Sequence, residues 1–195
     1  MSFTVVLAVA IVFAVYVVSI YNGLVSKKNR FHNAFSQIDI QLERRYDLIQ
    51  NLVETAKAYM AHERETLEAV VASRNRAHAA CNVARNQLDN SAAISQLANA
   101  EGSLTQSLGR FMAVAEAYPD LKAAETMKSL MEELTNTENT VAFARQAYND
   151  SVMEYNTACE TFPANLISAP FGFRQGAFLK IDCEEKKAAP KVQFR

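Results

Sequence analysis

Apolar residues run without interruption at the start of the chain: Phe3 to Tyr21 reads FTVVLAVAIVFAVYVVSIY and carries no charge. At about 1.5 Å per residue, a helix of that length spans roughly the hydrocarbon thickness of a bilayer. The pattern then changes from continuous to periodic. Leu24, Phe31, Phe35, Ile38, Leu42, Ile49, Leu52, Ala56 and Tyr59 follow at steps of three and four residues or their sums, with Arg45 filling one slot. That spacing predicts a helix packed on its neighbours at a shallow angle. No breaker separates the two patterns, so anchor and first bundle helix are expected to form one rod.

A second seam runs Leu67, Val70, Arg74, Ala77, Cys81, Ala84, Leu88 and ends in Asp89-Asn90-Ser91, with Ser91 expected to cap the next helix. A third runs Ile94, Leu97, Glu101, Leu104, Leu108, Phe111, Ala115, Tyr118 and stops before Pro119. The fourth starts near Asp120, passes Met127, Leu134, Val141, Tyr148, Val152 and Cys159, and stops at Phe162-Pro163. The predicted architecture is all-α. A transmembrane anchor at 1–21 continues into an antiparallel four-helix bundle at 22–161, and a partly ordered C-terminal tail follows at 162–195. The helices are placed near 22–60, 63–89, 91–118 and 120–161. The first and last are the longest, so they should extend beyond the turn near Asp89 as a two-helix stalk.

Composition sharpens the fold class. With 5 Gly and 4 Pro, and neither between Leu24 and Glu101 or between Asp120 and Phe162, the chain lacks the turn residues a sheet protein needs. Charge is uneven: residues 61–173 carry 8 Lys/Arg against 14 Asp/Glu, while 174–195 carry 6 against 3. Neither block is the concentrated basic face of a nucleic-acid binder. Lys27, Lys28 and Arg30 form a basic collar just past the apolar run, which by the positive-inside rule places the bulk of the chain in the cytoplasm and a short N-terminus outside. A cleaved signal peptide is disfavoured, because only Met1-Ser2 precede the run and Ser19-Ile20-Tyr21 is a poor cleavage site. Ala10 and Ala14, then Ser19 and Gly23, have the small-x-x-x-small spacing that lets two anchors approach, though lipid-facing small residues look the same. Three cysteines, Cys81, Cys159 and Cys183, show no ligand or disulfide spacing.

Arg45, Arg74 and Glu101 occupy slots where an apolar residue is expected. Buried charge is costly unless paired, so an ion pair satisfied across the bundle, or a long side chain reaching water, outweighs a ligand site. Antiparallel first and fourth helices face each other where residue numbers add to roughly 180–184, which sets Arg45 beside Glu138 and Asp39 beside Arg145 as candidate structural ion pairs. His32, His62 and His78 have no metal-ligand spacing, and no phosphate loop or nucleophile–base set is present, so no catalytic, cofactor or metal residues are assigned. In the tail, Phe171, Phe173, Arg174 and Lys180 are candidate interaction residues, with 163–173 expected to dock near the stalk and the remainder to be mobile.

Several stretches, FHNAFSQIDIQLERRYDLIQNLVETAKAYMAHERETLEAV at 31–70, AVAEAYPDLKA at 113–123, ELTNTENTVAFARQAYNDSVMEYNT at 133–157, FPANLISAPFGF at 162–173 and APKVQF at 189–194, closely resemble the LemA family in the family's order. The resemblance implies a bacterial single-pass protein of the cytoplasmic (inner) membrane with a cytoplasmic helical bundle, and it implies little chemistry. Family members often carry Trp where this chain has Phe35 and Pro where it has Gln50, so the first helix should be straighter here. Anchor, rod-like helices and missing chemistry together predict a non-enzymatic membrane-anchored scaffold or adaptor of the cell envelope. Its expected partners are the lipid bilayer, further copies of itself and a possible membrane protein, with no cofactor, nucleic acid or small-molecule substrate. The alternative is a signalling or regulatory partner of a membrane protease or other membrane complex.

Overall fold

The computed structural model of the chain describes residues 2–180. Its elements are α1 (Ser2–Lys57), α2 (Arg64–Arg85), α3 (Ser91–Ala115), α4 (Pro119–Ala123), α5 (Glu125–Glu160) and α6 (Asn165–Ser168). The apolar run and the first seam form one unbroken helix of 56 residues, about 84 Å long. Its N-terminal part is long and apolar enough to cross a membrane, and none of that window is buried inside the fold.

Below the anchor, α1 pairs along its length with α5, and α2 pairs with α3 as a second hairpin laid against α1. The periodic positions become the core: Phe31, Phe35, Ile38, Leu42, Ile49 and Leu52 of α1 are all buried, as are Val70, Ala77 and Cys81, Ile94, Leu97 and Phe111, and Tyr148, Val152 and Tyr155. Each large side chain so buried contributes roughly 1.5–3 kcal/mol relative to exposure. Phe31 and Phe35 meet Tyr148 edge-on at 6.4 and 5.6 Å between ring centroids, and Phe31 lies 5.0 Å from Tyr155. These contacts, like the ion pairs of Lys27 and Arg30 with Glu154 and of Arg44 with Glu133, put the α1–α5 register at sums of about 177–186.

Three local features differ from the sequence reading. The fourth helix is broken: Ala124 is extended (φ −61, ψ 123) between α4 and α5. Pro119 starts the short α4, whose Leu121 is fully buried, and an extended residue is then needed to redirect the chain along α5. The cap of α3 is Asn90, whose side chain accepts from the N–H groups of Ala92 and Ala93, and Ser91 is the first helical residue. The first helix ends at Lys57 rather than near 60, although Met60 in the turn that follows is still buried.

The α2–α3 turn stands near the height of His32, so α1 and α5 rise past it as a stalk. Residues 174–180, expected to be mobile, are instead an extended strap along this stalk. Ala177 donates its N–H to the Leu88 carbonyl at 2.9 Å. Asn156 bonds both the N–H and the carbonyl of Gly176 (2.8 and 3.0 Å), and Asn149 does the same for Leu179 (2.9 and 3.2 Å). Gly176 packs closely here: a Cβ built on it would lie 3.4 Å from Phe31 and Val152 side-chain atoms, in ordinary van der Waals contact. Cys183 and the basic residues from Lys186 to Arg195 lie outside the described residues.

Candidate functional site

The chemistry-bearing side chains gather in a polar layer where α1, α2 and α3 meet halfway along the bundle. Arg45 and Glu101 are each about 4% exposed and form a charge-assisted hydrogen bond of 2.7 Å. Tyr46, one residue on, donates its hydroxyl to the other Glu101 oxygen, and Arg45 also reaches Thr105 at 3.2 Å. Glu101 therefore sits between two donors from successive residues of α1, which fixes both the rotation and the height of α3 against α1. Burial and the neighbouring Glu101 carboxylate push Tyr46 ionisation far above the usual tyrosine range, so its hydroxyl is a fixed donor.

A second cluster lies one helical turn nearer the anchor. Asp39 accepts from Arg85 at 2.7 Å and from the Cys81 thiol at 3.3 Å, while Glu43 bonds Arg85 at 3.1 Å and lies 3.3 Å from His78. Arg74 caps the layer: its Nε donates to the Tyr46 carbonyl at 3.2 Å and its guanidinium lies 3.8 Å from Asp47. Burial and the Asp39 hydrogen bond push the Cys81 thiol well above its ordinary value, leaving it protonated and a poor nucleophile.

Arg45 therefore takes Glu101 as its close partner, and Glu138, 58% exposed on α5, lies at 4.0 Å. Asp39 is paired with Arg85 of α2 and not with Arg145, which is half-buried on α5 and makes no ion pair among the described residues. Antiparallel register relates only α1 and α5. A charge on the inner face of α1 also meets α2 and α3, and burial there favours a partner that is itself desolvated. The signal for the Arg45–Glu101 pair was nonetheless present, since both residues occupied seam slots with opposite charge. Tyr46 and Thr105 carried no comparable mark.

In the tail, Phe171 and Phe173 pack edge-on against Tyr21 of α1, each at 5.4 Å between centroids. Arg174 lies 3.6 Å from Asp89, and Lys180 stands 5.7 Å over the Phe178 ring. Among the described residues, no group of three His, Cys, Asp or Glu side chains is placed to hold a metal. The groove between α1 and α5, about 290 Å³, is an open polar depression lined by residues such as Gln41, Arg44, Glu133 and Thr140. Arg45 with Glu101 and Asp39 with Arg85 are each engaged by side chains of the chain itself, while the buried Arg45 Nε has no hydrogen-bond partner among the described residues.

A family model described as LemA family matches residues 34–194, nearly the whole chain. Magnetosome protein MamQ of Magnetospirillum gryphiswaldense is 34% identical over 79 residues, 40% of this chain and 29% of that protein. Magnetosome proteins MamQ 1 and MamQ 2 of Paramagnetospirillum magneticum are each 32% identical over 84 residues, 43% of this chain and 31% of theirs. The chain thus spans under a third of the length of these curated relatives.

Proposed function

From the premise that this chain belongs to the LemA family, we propose that it is a membrane-anchored helical scaffold or adaptor of the bacterial cell envelope, working by contact and self-assembly without catalysis. The observation that carries the reading is α1. One helix joins an apolar segment, none of whose spanning window is buried in the fold, to a bundle whose buried charges are internally paired. Such a rod transmits position, and its anchor holds the bundle on the inner membrane with the basic collar on the cytoplasmic side. Lys27 and Arg30 of the collar both grip Glu154, bracing the stalk where it leaves the bilayer.

Self-assembly is supported by two bare apolar side chains, Ile40 on α1 (57% exposed) and Phe143 on α5 (74% exposed). The α1–α5 register sets them level on adjacent helices. Gentle extraction from membranes, followed by mass measurement and identification of co-purifying proteins, tests the proposal. An oligomer that Phe143→Glu reduces to monomer is expected. A monomer with no companion protein overturns it.

A further inference from the structure

The segment that joins α5 to the strap has the make-up of a membrane-contacting foot. From Thr161 to Phe173 the chain reads TFPANLISAPFGF, with no Asp, Glu, Lys or Arg. The inner side of this segment is tied down: the Ser168 hydroxyl donates to the Cys159 carbonyl at 3.0 Å, and the Phe173 N–H donates to the Ser168 carbonyl at 2.9 Å. The outer side is bare. Phe162 is 79% exposed, Leu166 66% and Phe171 59%. Phe162 lies in the turn before α6 and Leu166 within it, and Ala169 and Pro170 in the turn that follows are also exposed.

The height of this surface identifies its occupant. Phe171 and Phe173 contact Tyr21, the last residue of the apolar run and a residue type suited to the membrane–water boundary. The helix pair Lys27–Glu154 and Arg30–Glu154 lies on the bundle side of that contact, so the uncharged segment is closer to the anchor than the collar is. The exposed aromatic and aliphatic side chains are therefore continuous with the apolar surface of α1. They are flanked by charge only where the chain turns back, at Glu160 and Arg174.

We propose that residues 161–173 seat Phe162, Leu166 and Phe171 in the headgroup–acyl boundary of the same bilayer that holds α1. The bundle then meets the membrane at two points, which fixes its tilt and its rotation about the α1 axis. This inference rests on the membrane reading of α1, and the experiment separates the two. The chain contains no Trp, so a single introduced Trp reports its own surroundings. The full-length variants Phe162→Trp, Leu166→Trp, Phe13→Trp and Tyr59→Trp are reconstituted in phospholipid vesicles, with circular dichroism to confirm folding. Emission is then compared between ordinary lipid and lipid brominated near the carboxyl end or near the methyl end of its acyl chains.

Trp at 162 and at 166 should emit to the blue and lose roughly half or more of its intensity to shallow bromine, as expected for side chains about 5–10 Å into the boundary. Trp at 13 should be quenched by deep bromine, and Trp at 59, in the turn just past the far end of α1, should be quenched by neither. Deep quenching at 13 with unquenched, red-emitting Trp at both 162 and 166 overturns the foot and leaves the anchor standing. Blue emission at 162 and 166 without quenching also overturns it, because a protein surface then covers the patch. Failure of quenching at 13 overturns anchor and foot together. Positions 162 and 166 are independent, so if one variant does not fold the other decides.

Discussion

Removing the Glu101 carboxylate tests the buried Arg45–Glu101 pair. In Glu101→Leu, the Arg45 guanidinium, about 4% exposed, loses its 2.7 Å partner, and the Tyr46 hydroxyl loses its acceptor. Glu138 stays at 4.0 Å, but it is 58% exposed and screened by water, so it offsets little. Stranding a buried charge costs about 3–5 kcal/mol, and the orphaned hydroxyl adds about 1 kcal/mol or more. For a chain of this size each kcal/mol lowers Tm by roughly 2–4 °C, so the total of about 4–6 kcal/mol predicts a fall of about 8–24 °C. Thermal melting followed by helical circular dichroism, on the full chain in mild detergent, reads this directly. Arg45→Met combined with Glu101→Leu should recover most of the loss, because the uncompensated charge is gone. Adding Tyr46→Phe should recover the remainder. A Glu101→Leu melt within about 2 °C of the parent, or a double variant no better than the single, would refute the reasoning.

Other consequences follow from the same packing. Asn156→Ala removes both hydrogen bonds that hold Gly176, so the strap should lift and become sensitive to trypsin at Arg174 and Lys180, with a loss of roughly 1–3 kcal/mol. Truncation before Arg174 should lower the melting temperature as well, contrary to a tail that is merely mobile. His32, at the surface, is held below its ordinary pKa chiefly by partial desolvation and also by Lys28. The unfolded chain therefore binds the proton more readily, and stability from this group is present above about pH 6.5 and is lost as pH falls through the lower folded value. His32→Gln should flatten the melting temperature between about pH 7 and 5, and an unchanged acid slope would count against that assignment.

Much of the fold was legible because helices advertise themselves by period. The seam residues from Leu24 to Cys159 are nearly all buried or half-buried in the structure, and the lack of Gly and Pro after Gly23 allowed α1 to be read as one rod. What escaped was held by contacts without a period. The break at Ala124 lies in an Ala-Ala-Glu stretch that carries no stop signal, and it exists because Leu121 must enter the core. The strap is fixed by Asn149 and Asn156 bonding backbone groups about 20 to 30 residues away, and no spacing rule marks such partners. The polar layer was half visible. Arg45 and Glu101 stood out as misfits in apolar seams, yet pairing them required knowing that α3 faces α1 across the bundle.

A rigid membrane-anchored scaffold requires α1 to run unbroken from the bilayer into the bundle. Hydrogen–deuterium exchange of the full chain in lipid nanodiscs measures that continuity residue by residue. Slow exchange is predicted throughout residues 5–55, including the stretch Tyr21–Arg30 between membrane and core. Fast exchange confined to Tyr21–Arg30, with protection on either side, would mean that anchor and bundle are joined by a flexible tether and would contradict the rod.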